Sequence, residues 1–323
     1  MWVPFIGWIQ IRGRTQGPPL RGLFMAKHSI SGKTVVYALL GYPVAHTFSP
    51  AMHNAAFQAL GIDAVYTAFT VKPHEIKNAV NGVRALEFGG VNLTIPHKEI
   101  CLPYLNELSP EAQAIGAVNT IVRDHQGKLT GHNTDGRGFV RALERVLRAD
   151  PSHKQVFLFG AGGAGKAVAV QLAIEGIQGI CIADTSAEQT RRLANTLKKK
   201  FPKCKVATFP SFEKADIERA IVDCDILINA TPCGMKASDP IVVSPRALHR
   251  KLIICDLIYN PAMTALTKEA RKRNLKVMNG LGMLLYQGVI AFELWTGKKA
   301  PVEVMAKALE QQMRKSQKSK VKS

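Results

Sequence analysis

From Thr34 onward, short apolar runs alternate with stretches whose apolar residues recur every three or four positions. VVYALLG, AVYTAFTV and GGVNLTI have the length of strands, while SPAMHNAAFQALG and HEIKNAVNGVRALEF have helical spacing. Strands separated by helix-period segments predict an α/β unit with a mainly parallel sheet. Ser49 is expected to cap the first helix, with Pro50 at a position where its missing N–H is harmless. A second unit begins near Gly131, with a helix from about Gly136 through Ala149. The buried strand KQVFLFG, the helix GAGGAGKAVAVQLAIEG and the strands GICIAD, CKVATF, DILINATP and KLIICDLI follow, separated by helical stretches. After Asn279 the pattern turns helical through GLGMLLYQGVIAFELWTG and PVEVMAKALEQQMRK, and Gly297 between them is the expected C-cap.

The glycine-rich segment sharpens the second unit. GxGxxG alone is weak, because glycines also punctuate ordinary turns, but here it runs from a buried strand straight into a helix. Gly160 makes the turn, Gly162 lets backbone approach a pyrophosphate, and Gly165 lets the helix pack on the sheet; Ala161, Gly163 and Ala164 complete the loop. The same residues nearly spell a P-loop ending at Lys166. Ala167 stands where a magnesium-binding hydroxyl is required, which disfavours a nucleoside triphosphatase. Asp184, at the end of GICIAD, has the position of an acid that hydrogen-bonds the adenine ribose of NAD. It also reads as a cap for the helix opening at Ser186, where SAEQ fits a capping box.

These patterns give an α/β fold class with two α/β domains. Residues 25–131 plus 281–310 are expected to form an N-terminal substrate domain to which the C-terminal helices return, and residues 132–280 a Rossmann-type, doubly wound NAD(P)-binding domain. The first 24 residues, apolar at the start with Arg12, Arg14 and Arg21 following, are expected to be a disordered leader or an over-called start. Residues 311–323 are expected to be a basic disordered tail.

Composition trims the function classes. The formal net charge of +19 suggests nucleic acid, yet the excess is scattered, with seven basic residues between Arg191 and Lys205 and five in the last thirteen positions. Neither run interleaves aromatics for base stacking, so no nucleic-acid partner is expected. No apolar run is long enough for a bilayer span, so no membrane partner is expected either. Six cysteines without CxxC spacing read as reduced thiols of a cytoplasmic protein, and the dispersed histidines predict no metal site.

Three polar blocks carry the candidate chemistry: GYPVAHTFSPAMHN from Gly41, NLTIPHK from Asn92, and GHNTDGRGF from Gly131. A buried strand has little use for Asn92, Thr94 and a terminal Lys98 unless something polar waits beyond it. With GAVNT (Gly116–Thr120), NATPxGM ending at Met235, DxIYNP (Asp256–Pro261) and GLxMLxxQ (Gly280–Gln287), these blocks make the chain resemble the shikimate dehydrogenases, a group that includes quinate/shikimate dehydrogenases. The resemblance runs from about Val36 to Leu309.

It implies reversible NAD(P)-linked hydride transfer between 3-dehydroshikimate and shikimate, on the way to chorismate and aromatic amino acids. It further implies that Thr47 and Ser49 bind the substrate carboxylate, while Asn92, Thr94, Asn119, Tyr259 and Gln287 complete the substrate site. Lys98 and Asp135 would form the catalytic pair, and Thr231, Gly280 and Met283 would join the glycine loop in binding the cofactor. The chemistry agrees, since hydride arriving at a ketone leaves an alkoxide that needs a positioned cation and a proton source.

Two departures bear on specificity. Shikimate-specific members usually carry SxS where this chain has Thr47, Phe48 and Ser49, which raises an NAD-dependent quinate/shikimate dehydrogenase as the alternative. NADP-using members typically carry Asn-Arg-Thr where this chain has Asp184, Thr185 and Ser186, so NAD is expected over NADP. A non-catalytic dinucleotide-sensing module is the alternative of a different class. The expected partner is a small-molecule substrate, with a homodimer left open.

Overall fold

Two six-stranded sheets divide the strands between them. The computed structural model describes residues 30–209 and 214–321, so the expected leader over residues 1–24 lies outside the described residues. The first sheet contains β1 (Val35–Gly41), β2 (Ala64–Thr70), β3 (Gly90–Leu93), β4 (Glu107–Leu108), β5 (Thr120–Arg123) and β6 (Leu129–His132), in the order β2-β1-β3-β5-β6-β4. β1 runs parallel to β2 and β3, whereas β5 is antiparallel to both β3 and β6. The second sheet contains β7 (Gln155–Phe159), β8 (Gly179–Ala183), β9 (Lys205–Phe209), β10 (Ile226–Asn229), β11 (Ile253–Asp256) and β12 (Lys276–Asn279). All its pairings are parallel, in the order β12-β11-β10-β7-β8-β9. The strand order reverses between β7 and β10, which is where a doubly wound sheet opens its ligand crevice.

The helices are α1 (Ser49–Ala59), α2 (Ile76–Ala85), α3 (His97–Ile100), α4 (Pro110–Ile115), α5 (Asp135–Leu147), α6 (Gly163–Ile174), α7 (Ala187–Lys200), α8 (Lys214–Val222), α9 (Ala265–Lys272), α10 (Gly280–Thr296) and α11 (Val302–Val321). The strands of the second sheet read as unbroken apolar runs because helices cover both faces; Val156–Phe159 and Ile226–Ile228 are fully buried. One joint apolar core, containing Phe57, Phe139, Leu158, Val168, Phe292 and Met305, connects the two sheets through α1, α5, α6, α10 and α11. Separate apolar clusters cover the outer faces of the first and second sheets. α10 is apolar around most of its circumference because it lies inside the joint core, and Gly297 closes it in the left-handed conformation expected of a C-cap.

Three expectations need correction. The residue capping α1 is Phe48, and Ser49 is already helical; the Ser49 N–H is held by Thr47 Oγ1 at 3.3 Å, which leaves its own hydroxyl for other partners. The tail from residue 311 is helical to Val321 instead of disordered. Leu309 and Met313 extend the apolar stripe begun at Met305, and all three are buried in the joint core. Finally, the first sheet turns antiparallel at β5, in a region where the hydrophobic pattern predicted no strands.

Candidate active site

The catalytic candidates come together directly. Lys98 Nζ lies 2.6 Å from Asp135 Oδ2, and both side chains are mostly shielded from solvent. This is the short, charge-assisted kind of hydrogen bond. Lys98 sits on the single turn of α3, just beyond β3, and two bonds fix that turn. The buried His97 ring meets the Val71 carbonyl at 2.8 Å, and the Lys98 carbonyl accepts the Val118 N–H at 2.7 Å. Asp135 opens α5, where a carboxylate is favoured by the helix dipole, and its N–H donates to Asn133 Oδ1.

A polar network ties this pair to the strand ends. Asn119 donates to Asp135 Oδ1 at 2.9 Å and accepts the Thr134 N–H, while the Thr120 hydroxyl bonds Asn119 Oδ1. Asn92 donates to Thr120 Oγ1 and to the Asn119 carbonyl, and its own oxygen accepts the Tyr66 hydroxyl at 2.8 Å. Burial pushes the Tyr66 phenol far above its ordinary value, and a hydrogen bond with the Ser49 hydroxyl draws it part of the way back. Thr47 Oγ1 bonds Ser49 Oγ at 3.3 Å. Hydrogen bonds therefore run from Tyr66 through Asn92, Thr120 and Asn119 to Asp135 and Lys98, with the Ser49 hydroxyl, itself bonded to Thr47, beside the Tyr66 phenol.

The other substrate candidates lie outside that chain. Thr94 packs its methyl so near Gly41 that a Cβ there would stand 2.3 Å away. Gln287 is buried and donates to the Leu284 carbonyl on its own helix. Tyr259 packs edge-on to Phe48, with ring centroids 5.7 Å apart.

A cleft of about 1010 Å³ runs between the two halves. His46, Thr47, Phe48 and Ile95 line it from the first sheet; Gly162, Gly163, Ala164 and Thr231 line it from the second. Lys98 and Asp135 do not themselves line this cleft. They follow Ile95 in the chain and open α5, respectively. α6 starts with no side-chain cap at Gly162, and nothing lies within 4 Å of the place a Gly163 Cβ would occupy. Its first N–H groups therefore open onto free space, as a dinucleotide diphosphate requires.

The remaining cofactor candidates play varied parts. A Cβ at Gly165 would lie 1.9 Å from the Gly160 carbonyl, so only glycine permits this helix-to-strand approach. Gly280 is similarly constrained by the Leu257 carbonyl, and Met283 is buried in the joint core. The Thr231 hydroxyl is used within its own turn, bonding Asn229 Oδ1 at 2.7 Å. Asp184 accepts the Ala161 N–H at 2.6 Å and the Ser186 N–H at 2.7 Å, so it ties the glycine loop to the strand end. Ser186 does cap α7, accepting the Gln189 N–H.

The motifs left four participants unnoticed. Tyr66 and Thr120 enter through strand order, because β1 separates β2 from β3 and β3 pairs with β5; Thr134 adjoins Asp135 and was passed over. His53 stacks on Tyr66 at 4.4 Å; it belongs to the polar block from Gly41 to Asn54, on the buried side of α1, but nothing in that block singled it out.

Comparison with known proteins identifies the family. Residues 39–121 match the model of the shikimate dehydrogenase substrate binding domain, and residues 280–310 that of the shikimate 5'-dehydrogenase C-terminal domain. A protein of Desulforamulus reducens named shikimate dehydrogenase (NADP(+)) is 47% identical over 288 residues, covering 88% of this chain and 98% of that relative. The crystal structure of shikimate 5-dehydrogenase from Listeria monocytogenes, in complex with shikimate and NAD, superposes with a TM-score of 0.83 at 38% identity, over 87% of this chain and 98% of that one. Quinate dehydrogenase from Corynebacterium glutamicum, in complex with NAD, gives a TM-score of 0.80 at 32% identity, over 86% and 99%. With a relative this similar over nearly its whole length, and with the same motifs and fold, the chain belongs to the shikimate dehydrogenase family.

Proposed function

We propose that this chain is an NAD(P)-dependent shikimate dehydrogenase that interconverts 3-dehydroshikimate and shikimate. The observation that carries the reading is the Lys98–Asp135 pair at 2.6 Å, joined by hydrogen bonds through Asn119, Thr120 and Asn92 to the Tyr66 hydroxyl. When bound, a nicotinamide dinucleotide supplies the hydride. Lys98 Nζ gives its proton to the oxygen of the reduced carbonyl and takes the hydroxyl proton back in the reverse direction, while Asp135 aims the ammonium. Thr47 and Ser49 hold the substrate carboxylate; Asn92, Thr94, Asn119, Tyr259 and Gln287 hold the ring hydroxyls. The glycine loop from Gly160 to Gly165, with Thr231, Gly280 and Met283, receives the dinucleotide. The cleft between the halves, lined by Thr47 and Tyr259, leads the substrate toward the Lys98–Asp135 pair beyond Ile95, and its closure excludes water. Six free cysteines fit a reducing cytoplasm.

NAD is the preferred cofactor in this reading. Asp184 puts a carboxylate at the β8 end, and neither Thr185 nor Ser186 supplies a guanidinium for a 2′-phosphate. Thr47, where shikimate-specific members usually carry serine, makes quinate the alternative substrate. Initial rates with shikimate and with quinate, each against NAD and NADP, test all three statements through the absorbance of the reduced cofactor. Oxidation of shikimate with a higher kcat/KM for NAD is expected. A clear NADP advantage removes the cofactor preference, and no turnover of either acid removes the activity.

A further inference from the structure

The matched C-terminal domain ends at residue 310, yet α11 continues to Val321 and carries Gln312, Lys315 and Ser316 to the wall of the cleft. These three share one helix face by their spacing. Met305, Leu309 and Met313 point the adjacent face into the joint core, so the helix that presents them is anchored. The charges lining the cleft are unequal. Among the described lining residues there is no aspartate or glutamate, and Lys315 is the one lysine or arginine. The opposite wall is Gly162, Gly163 and Ala164, whose N–H groups open onto the same space; Lys166, on the same turn, is outside the lining with its ammonium 3.7 Å from the Glu99 carboxylate.

We infer that Lys315 is an electrostatic clamp for the diphosphate of the bound dinucleotide, supplied by the C-terminal helix from across the cleft. The inference rests on the dinucleotide-binding part of the proposed function. A lysine in a lining otherwise free of acidic and basic side chains other than His46 attracts a dianion and lengthens its stay. The side chain is exposed at its tip, so the contribution is that of a solvated ion pair and not a buried one. The diphosphate is favoured over the 2′-phosphate because Asp184, Thr185 and Ser186 are not part of this lining.

Calorimetric titration of the full chain with NAD, NADP and shikimate tests this without reference to turnover. For Lys315→Ala, Kd for NAD and for NADP should rise equally, by about three- to fivefold, and depend less on salt, while shikimate binding stays unchanged. Lys315→Arg should restore both affinities, and Lys315→Glu should weaken them by roughly tenfold. Thermal melting of each variant should match the parent, since the side chain is outside the core. A loss confined to NADP would assign the lysine to the 2′-phosphate, and one confined to shikimate would assign it to the carboxylate; either overturns the clamp. If the parent binds dinucleotide and K315A binds it equally well, the clamp alone fails. If the parent binds neither dinucleotide, the functional reading fails as well.

Discussion

The two halves of the molecule prepare their parts of the site by opposite means. The first sheet works with side chains: Lys98, Asp135, Asn119, Asn92 and Tyr66 each hold a partner through a named polar atom. The second sheet works with backbone and with missing side chains, since the glycine loop offers N–H groups and Gly165 is required because no Cβ fits there. Removing atoms should therefore damage the first half, and adding atoms should damage the second.

The largest expected effect is on Lys98. Lys98→Ala should lower kcat by about 100- to 10,000-fold while leaving dinucleotide Kd unchanged; near-normal turnover would show that the side-chain half does not carry the proton. Next comes His53, which burial holds down to about 3 with both ring nitrogens unpaired. Its pKa is depressed in the folded state, so its contribution is complete above the unfolded value of 6.5 and is lost as pH falls toward 3. That contribution is on the order of 5 kcal/mol at most. Asp256, in the second half, has the opposite sign. Burial raises its pKa, so its contribution is present below the ordinary 3.8 and disappears as pH rises through the raised value. Denaturant unfolding of His53→Phe between neutral pH and pH near 4 should have a flatter acid limb than the parent, and an unchanged limb would remove His53 from the account.

Gly165→Ala should cost about 1–3 kcal/mol of stability and weaken dinucleotide binding, because the new methyl meets the Gly160 carbonyl. If the variant melts and binds like the parent, the second half is less dependent on bare backbone than its geometry implies. Thr185→Arg, which introduces a side chain at the rim, should improve kcat/KM for NADP by about tenfold with little change for NAD. The smallest effect concerns the contact between the halves. Lys166 Nζ lies 3.7 Å from the largely exposed Glu99 carboxylate, and a double-mutant cycle on this pair should give less than about 1 kcal/mol.

The same contrast explains what the sequence made legible. Parallel strands buried on both faces are continuous apolar runs, so β7, β8, β10 and β11 stand out as words. β5 and β6, reading TIVR and LTGH, are short and mixed in polarity, and nothing local distinguishes them from loops. β12, as KVMN, is equally brief. The Lys98 and Asp135 blocks were visible because polar residues sat where packing had no need for them. Their connection through Tyr66 and Thr120 was not, since it depends on which strands become neighbours. The C-terminal helix was legible as far as Lys315 through Met305, Leu309 and Met313, but its last turns, basic and without an apolar stripe, resembled a disordered tail.

Asp184 imposes a restriction on how cofactor choice can change over mutational history. Its carboxylate is the acceptor that fastens the Ala161 N–H of the glycine loop to the start of the next turn and, under the NAD preference proposed above, also the charge that would discourage a 2′-phosphate. Replacing it to admit the phosphate would loosen the loop that both dinucleotides need, so the direct path crosses a weaker binder of either. A lineage moving toward NADP is steered instead to the neighbouring positions, where a cation can be gained before the aspartate is given up.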